Sequence, residues 1–488
     1  RMPPGPRGLP FLGNTHQLRG FMPWKTFAQW NKQYGPVNSL FLGQTPVIVL
    51  GSAKAAWDLL DKRSDIYSSR PRFIMAGELL SNNMRGFLMP SGAEWRTFRK
   101  IMHRSFNIRK AKSYREIQSL ESKVMMHELL HQPKDYEKHI RRYAASLIVS
   151  VAYGRRIDTV DDWIVTENVA SVSYINASIK LYSIPGKYLV ESVPWLLKLP
   201  LSLQWFRHAP EERRKRDVDL FTHLVEDVKA RASEGTCLPC MGMEALAKKE
   251  ELNWNELQIG YVLASSFGAG IDTVSALHQR SLAMLHHPNV MKKAQAELDA
   301  VVGPERMPEF DDKTHLPYIN ALISEVTRWR PVAVLGGAPH ATTTDDHYEG
   351  IFVLHRIYAY RHAFSAIMRD PEVFPNPDAF LPERFLGVTD PRLQNFEIPF
   401  GFGRRICPGR HLAINSLFVN MARILWGFDL RPVKDAQGQD VLPDPFAFTS
   451  GFMSRPLPFD IQIKVRNDRV RQSIEREFES AKEVLRKW

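Results

Sequence analysis

The sequence predicts a mainly α-helical fold, because three segments carry the apolar periodicity and the end signals of long helices. The first runs from Asn253, an N-cap residue type with Glu256 three residues later, to a stop at Pro288. The second occupies 317–331 and the third 411–426, each with apolar residues spaced to cover one face. No internal repeat, low-complexity tract or long polar linker accompanies them.

Bulk composition limits the class of protein. The chain has 488 residues, of which 44% are hydrophobic, so it can bury a large core. Length alone suggests about three domains of ~150 residues. The net charge of +12 favours acidic partners, but no nucleic-acid-binding signature accompanies it. An anionic membrane face and an acidic protein partner fit better, and no stretch approaches the ~20 apolar residues of a membrane-spanning helix.

One of the three cysteines lies in the sequence FGFGRRICPG at 400–409, just ahead of the third helix. Gly403 and Gly409 permit backbone approaches that a side chain would block, and Pro408 suits the first helical position. Cys407 therefore sits at a helix start, where unpaired N–H groups favour a thiolate, the form that ligates iron. Arg405 is placed to bind a haem carboxylate.

The spacing F-x-x-G-x-R-x-C-x-G resembles the haem loop of the cytochrome P-450 family of haem-thiolate monooxygenases. The alternative is that Cys407 is only a small buried hydrophobe. The resemblance implies a single, mainly helical domain over 1–465 with a smaller β portion, a proline-rich hinge at 1–14 and a charged helical tail at 466–488. It places haem b between the first and third helices, with Cys407 as the iron ligand and Phe400, Gly403 and Arg405 around it.

The middle of the first helix, ASSFGAGIDT at 264–273, is unusually small. Each glycine in a helix costs about 1 kcal/mol relative to alanine, so we expect that a flat macrocycle needs the space. Its last five residues resemble the family's A-G-x-D-T segment, which implies that Asp272 and Thr273 supply protons for activation of O2, the co-substrate. The alternative is that Thr273 bonds back to a carbonyl and Asp272 faces solvent.

Three other motifs resemble the family's scaffold. Glu325 and Arg328 share a helix face, and the PERF sequence at 382–385 implies that Arg384 joins them to lock the segment that carries the cysteine loop. Trp95 and Arg99, four residues apart on one face, resemble the W-x-x-x-R helix that reaches the haem carboxylates. His340 occupies a position that binds a carboxylate in many members, although a purely structural role is equally open.

The resemblance covers nearly the whole chain and is closest to microsomal, fungal-type members. It implies insertion of one oxygen atom into a lipophilic secondary metabolite or xenobiotic. The electrons would come from NADPH through NADPH-cytochrome reductase, with cytochrome b5 as a second candidate donor, docked with help from Arg96, Lys100 and Arg104. The expected substrate pocket comprises Ser266, Phe267, Ala269, Val334, Leu335, Phe452 and Met453.

The location is also an expectation from the resemblance. The sequence PPGPRGLP at 3–10 resembles the hinge that follows an N-terminal anchor in microsomal members, so we expect a monomer on the cytosolic face of the endoplasmic reticulum, with the anchor absent from this chain. The apolar, proline-broken segment 193–201, with Trp205 and Phe206 beyond it, predicts an interfacial segment. Core packing explains that segment equally well.

The chain departs from the family pattern at 351–362, where no glycine or proline remains for the expected tight turn. This puts the local hairpin in doubt. Two rival functions stay open: a haem-thiolate isomerase or dehydratase that needs no reductase, and a catalytically silent haem-binding member. Asp272 and Thr273 argue against the first, and the atypical hairpin motivates the second.

Overall fold

The computed structural model describes residues 2–18, 23–179, 188–274, 277–353, 358–362, 364–449 and 453–487. Within these ranges the α-helices are α1 (Pro23–Tyr34), α2 (Ala53–Ala56), α3 (Ala93–Phe106), α4 (Ile108–Ser113), α5 (Arg115–His131), α6 (Tyr136–Tyr153), α7 (Trp163–Ile179), α8 (Leu189–Ser192), α9 (His208–Ser233), α10 (Met241–Ala247), α11 (Lys249–Leu252), α12 (Glu256–Val274), α13 (Leu277–His286), α14 (Pro288–Val301), α15 (Pro317–Trp329), α16 (Phe364–Ile367), α17 (Pro391–Gln394), α18 (Arg410–Gly427) and α19 (Asp468–Leu485). The strands are β1 (Val37–Leu42), β2 (Thr45–Leu50), β3 (His340–Ala341), β4 (Asp346–Tyr348), β5 (Ile351–Val353), β6 (Tyr358–His362), β7 (Phe428–Arg431), β8 (Val433–Lys434), β9 (Asp440–Val441) and β10 (Gln462–Val465).

The β portion is small, which confirms the predicted fold class. Its largest sheet has the order β1-β2-β6-β3, with β2 and β6 parallel and Ile48 opposite Tyr360. The other pairs, β7 with β10, β4 with β5 and β8 with β9, are two-stranded and antiparallel. Helices form the main core, in which α12 packs against α6, α9 and α18.

Two of the three predicted helices are confirmed to within two residues at each end, as α15 and α18. The start of the first was wrong. Asn253 has φ 50° and ends α11, whereas Asn255 caps α12, since its Oδ1 accepts from Gln258 N at 2.8 Å and its N–H donates to Gln258 Oε1 at 3.0 Å. The periodic segment up to Pro288 is helical in α12 and α13, and residues 275–276 between them lie outside the described residues.

The two glycines of α12 do not serve the purpose that the sequence suggested. A Cβ on Gly270 would lie 2.8 Å from Ile148 Cγ1 on α6, and one on Gly268 would lie 2.9 Å from Val172 Cγ2 on α7. Glycine therefore lets α12 approach its neighbouring helices closely. The prediction that both glycines make room for a macrocycle was wrong, because the space they provide is filled by protein.

The doubtful hairpin is only partly within the described residues. β4 and β5 pair through a tight turn in which Glu349 and Gly350 have φ of 46° and 78°, the signature of a turn that glycine favours. β6 follows and pairs with β2 and β3. The connection at 354–357 lies outside the described residues, but the strands on both sides of it form.

Candidate haem-binding site

The Cys407 loop is fixed by short backbone contacts. The Cys407 N–H donates to the Phe400 carbonyl at 2.8 Å. Gly403 has φ 52°, and a Cβ there would lie 2.2 Å from the Leu60 carbonyl oxygen, so the loop accommodates only glycine at this position. The Gly403 N–H also donates to Asp61 Oδ1 at 2.9 Å. The loop is therefore anchored to the short helix Trp57–Lys62 on one side.

On its other side the loop leads into α18, which begins two residues after the start that Pro408 suggested. Gly409 occupies the cap position and the helix begins at Arg410, so Pro408 is outside the helix rather than at its first position. Burial raises the pKa of the Cys407 thiol, whereas a hydrogen bond from the Gly409 N–H and the charges of Arg99 and Arg410 lower it. A metal ion on the sulfur would favour the thiolate outright.

Three arginines from distant parts of the chain meet beside this loop. Arg405 Nε donates to the Ser68 carbonyl at 2.6 Å and its Nη2 to the Met89 carbonyl at 2.8 Å. Arg99 Nη1 donates to the Ile406 carbonyl at 2.6 Å. Arg70 donates through Nε to the Phe87 carbonyl at 3.0 Å and through Nη1 to the Ala338 and Pro339 carbonyls at 2.6 and 2.9 Å. Neutral carbonyls thus hold three positive charges in place.

Among the described residues, no carboxylate forms an ion pair with this arginine cluster, Arg70, Arg99 and Arg405. Burial lowers the pKa of Arg405 to about 8, helped by the charges of Arg70 and Arg99. Burial alone lowers the pKa of Arg70 to about 9. It also lowers the pKa of Arg99, where the Cys407 thiolate acts in the opposite direction. Because a guanidinium keeps its proton in proteins, relief of this cost requires an anion.

The residues present fit a haem carboxylate at this position. Arg405 Nη1 is buried and has no hydrogen-bond partner among the described residues, so one donor of the cluster is left over. The Arg405 guanidinium carbon lies 4.0 Å from the centre of the Trp95 ring, and this cation–π contact helps to orient the guanidinium group. His340 is buried and its Nδ1 lies 2.7 Å from the Tyr67 carbonyl oxygen, which orients its ring. Trp95, Arg99, His340 and Arg405 thus border one region around the loop.

Glu325, Arg328 and Arg384 are brought together. Arg328 donates to both carboxylate oxygens of Glu325, at 2.7 and 2.8 Å, and both side chains are fully buried. Arg384 Nε lies 3.1 Å from Glu325 Oε2. Both arginines also donate to the Ala379 carbonyl, and the Leu381 N–H donates to Glu325 Oε1 at 2.7 Å. The triad therefore ties α15 to the segment 375–384 that precedes the cysteine loop.

The expected pocket residues separate into three groups. Ala269 is exposed although it lies in the middle of α12, as the wall of an internal cavity would be. Phe267 has no exposed surface, and the Ser266 hydroxyl lies 3.5 Å from Met241 Sδ, so both side chains are packed among neighbouring residues and their place in the pocket stays a prediction. Three half-buried or buried residues follow α15 or lie near the end of the chain, namely Val334, Leu335 and Met453.

Phe452 lies outside the described residues, as do the side chains of Asp272 and Thr273 in the last turn of α12.

Arg70 is the site residue that sequence reasoning missed. It lies in the non-helical stretch before Pro71, and no motif or spacing marks it. Its role depends on contacts with residues 268 and 269 positions away, which only the folded chain reveals.

Comparison with known proteins gives a consistent result. A family model described as Cytochrome P-450 matches residues 3–463. The chain is 36% identical to cytochrome P-450 monooxygenase 58 of Postia placenta, over 96% of this chain and 90% of that protein. It is 35% identical to cytochrome P-450 monooxygenase aneD of Aspergillus aculeatus, over 99% and 93% of the two chains. It is 33% identical to cytochrome P-450 monooxygenase FrzL of a Cladobotryum species, over 98% and 90%.

Proposed function

This chain belongs to the cytochrome P-450 family and is a monooxygenase that uses haem and O2, and on that premise we propose its substrate class, electron donor and acting residues. We propose that it inserts one oxygen atom into a lipophilic small molecule, a secondary metabolite or xenobiotic, with electrons from NADPH through a flavoprotein reductase. The observation that supports this proposal most directly is the arginine cluster beside the Cys407 loop, which has no carboxylate partner among the described residues.

The proposed roles follow from that arrangement. When bound, haem supplies the iron on which O2 is activated. Cys407 would hold the iron as a thiolate and would supply electron density to it. Arg405, Arg99 and Trp95 hold the haem carboxylates, with Arg70 as an additional cation and His340 as a further donor. Phe400 and Gly403 fix the path of the loop, and the Glu325 triad fixes the segment that leads to it.

Asp272 and Thr273 are the proposed proton donors. They follow the exposed Ala269 by three and four residues on α12, so the helix places all three on neighbouring parts of one face. The Thr273 hydroxyl would hold a proton for delivery to O2 and Asp272 would resupply it, which is a general-acid relay.

The experiment is turnover of purified holoenzyme with reductase and NADPH, comparing wild type with Thr273→Ala. We expect the fraction of NADPH electrons that reach product to fall roughly tenfold or more, with peroxide released instead. Ser265→Ala is the matched control, since that hydroxyl only bonds back to the Tyr261 carbonyl at 2.8 Å. Equal coupling in wild type and Thr273→Ala contradicts the proton relay.

The same experiment separates the second candidate function. An isomerase or dehydratase would convert a peroxide substrate without reductase or NADPH, whereas the proposed reaction consumes both. Product formation that requires no NADPH therefore favours the isomerase, and a catalytically silent member would form no product under either condition.

The proposed pocket is lined by Ser266, Phe267, Ala269, Val334, Leu335, Phe452 and Met453. Six of the seven are apolar, which suits a lipophilic substrate. Substitution of Met453 by a larger or smaller apolar residue is expected to shift the product pattern.

Reductase docking is proposed on the α3 side of the Cys407 loop. Arg96 is exposed, whereas Lys100 and Arg104 already lie 3.1 and 3.4 Å from the carboxylate of Glu251. Arg96 is thus the most available of the three cations for an acidic partner. Turnover with reductase should fall as ionic strength rises, because exposed ion pairs are screened by salt. Cytochrome b5 is a second proposed donor for the same surface.

The proposed location is the cytosolic face of the endoplasmic reticulum, with the protein as a monomer. Within the described ranges, none of the helices combines the length and apolarity needed to cross a bilayer. The segment 193–205 offers another kind of contact, because Trp195, Leu201 and Trp205 are 60%, 74% and 66% exposed. These side chains support a surface that dips into the membrane interface.

A further inference from the structure

The helix α19 lies beyond residues 3–463, the part of the chain that matches the family. It packs against α5 and buries Val470, Ile474, Ala481 and Leu485. The contact also includes a group of side chains, His127, His131 and Glu475, that has no part in the haem site.

His127 and His131 lie one turn apart on α5, so their rings project on the same side. Glu475 reaches them from α19, with Oε1 2.9 Å from His131 Nε2 and Oε2 3.3 Å from His127 Nε2. The ligating atoms of all three residues lie within 4.8 Å of one another. The His127 ring stacks on Phe478 with a centroid distance of 3.7 Å and an interplanar angle of 11°, which fixes its orientation.

Two imidazole nitrogens and one carboxylate are a donor set that suits zinc. Tetrahedral zinc with ligands at about 2.0–2.1 Å separates its ligand atoms by roughly 3.3 Å, close to the spacings observed here. The i,i+4 spacing of the histidines is the one that helices use to present two ligands to one ion. Glu479, one turn after Glu475, is close enough to act electrostatically on His127.

We propose that His127, His131 and Glu475 form a binding site for a divalent transition-metal ion of the zinc class, with Glu479 or water completing the shell. The ion would bridge α5 and α19 and would stabilise the attachment of the C-terminal helix to the catalytic domain. The three ligands are 24%, 48% and 41% exposed at their side chains, so the ion can enter from solvent. The proposal is independent of haem chemistry.

The test uses the full chain with haem bound, purified without a polyhistidine tag and titrated with zinc chloride. We expect one zinc ion per chain at micromolar zinc, measured by calorimetry and by elemental analysis after dialysis, together with a higher melting temperature of the protein. His131→Ala and Glu475→Gln should each weaken zinc binding at least tenfold.

The matched control is His208→Ala. His208 is 87% exposed on α9 and lies 4.0 Å from Glu212 one turn later, so it offers a histidine and a carboxylate but no described second histidine. Its loss should leave zinc binding unchanged. The proposal would be overturned if zinc binding at micromolar zinc were not saturable. It would also be overturned if a ligand variant that keeps the haem spectrum, His131→Ala or Glu475→Gln, bound zinc as tightly as wild type.

Discussion

At Arg405, two guanidinium nitrogens reach backbone carbonyls and the third, Nη1, is buried without a partner among the described residues. A buried donor without a partner costs free energy, and a buried charge without a counterion costs more. Burial also lowers the pKa of Arg70 and of Arg99, so the cost of burying positive charge is shared by the cluster, whereas the donor without a partner belongs to Arg405. A ligand with two carboxylates would remove that cost.

Arg405→Ala should therefore weaken haem retention. A hydrogen bond to a charged group contributes about 1.5–3 kcal/mol, which corresponds to haem loss that is roughly 10- to 100-fold faster. The measurement is the rate of haem transfer to an excess of apomyoglobin. Arg404→Ala is the control, because its side chain is exposed on the same loop and should lose haem at the wild-type rate. Equal rates in the two variants would show that the cluster does not bind the carboxylates.

Among elements, the α15 contact with the segment 375–384 depends on a carboxylate shared by two guanidinium groups. Glu325 and Arg328 have no exposed surface, and the side chain of Arg384 is 9% exposed. Burying three charged side chains is costly, so we expect the triad to contribute mainly by fixing the position of the segment 375–384 against α15. Removal of one partner would leave the other buried charges without a counterion.

Glu325→Gln should destabilise the protein by about 3–5 kcal/mol, because two buried guanidinium groups lose their common counterion. The measurement is the free energy of unfolding in urea, together with the haem content per chain. Glu383→Gln is the control: this neighbouring acid is 41% exposed and pairs with Lys293, so its loss should cost less than about 1 kcal/mol. A loss at Glu325 no greater than at Glu383 contradicts the buried-triad account.

The elements also show what the sequence could predict. α15 and α18 were predicted correctly because prolines and periodic apolar residues are local signals. Gly268 and Gly270 were misinterpreted because a small residue reveals that something approaches but not what approaches, here Ile148 and Val172. Arg70 carried no local signal at all, since its partners lie far away in the chain.

At the scale of the whole molecule, the net charge of +12 and the exposed apolar segment 193–205 act together. In the proposed membrane contact, the charge would attract the protein to an anionic bilayer and the apolar side chains would then hold it at the interface.

Replacing Trp195 and Trp205 together with serine should reduce partitioning onto anionic vesicles by roughly tenfold or more, because each large apolar side chain contributes about 1.5–3 kcal/mol when it is fully buried. The measurement is cosedimentation with vesicles. Trp163→Ser is the control, since Trp163 is 48% exposed but lies on α7 against His223, away from the segment. Unchanged partitioning of the double variant would exclude the segment as the membrane contact.

The central claim, that Cys407 ligates haem iron as a thiolate, is tested most directly by the absorption spectrum of the reduced, carbon monoxide-bound protein. The account predicts the Soret band characteristic of thiolate ligation in wild type and its loss in Cys407→Ser, with Cys237→Ser and Cys240→Ser unchanged. A wild-type protein that binds no haem, or a thiolate band that persists in Cys407→Ser, would contradict it.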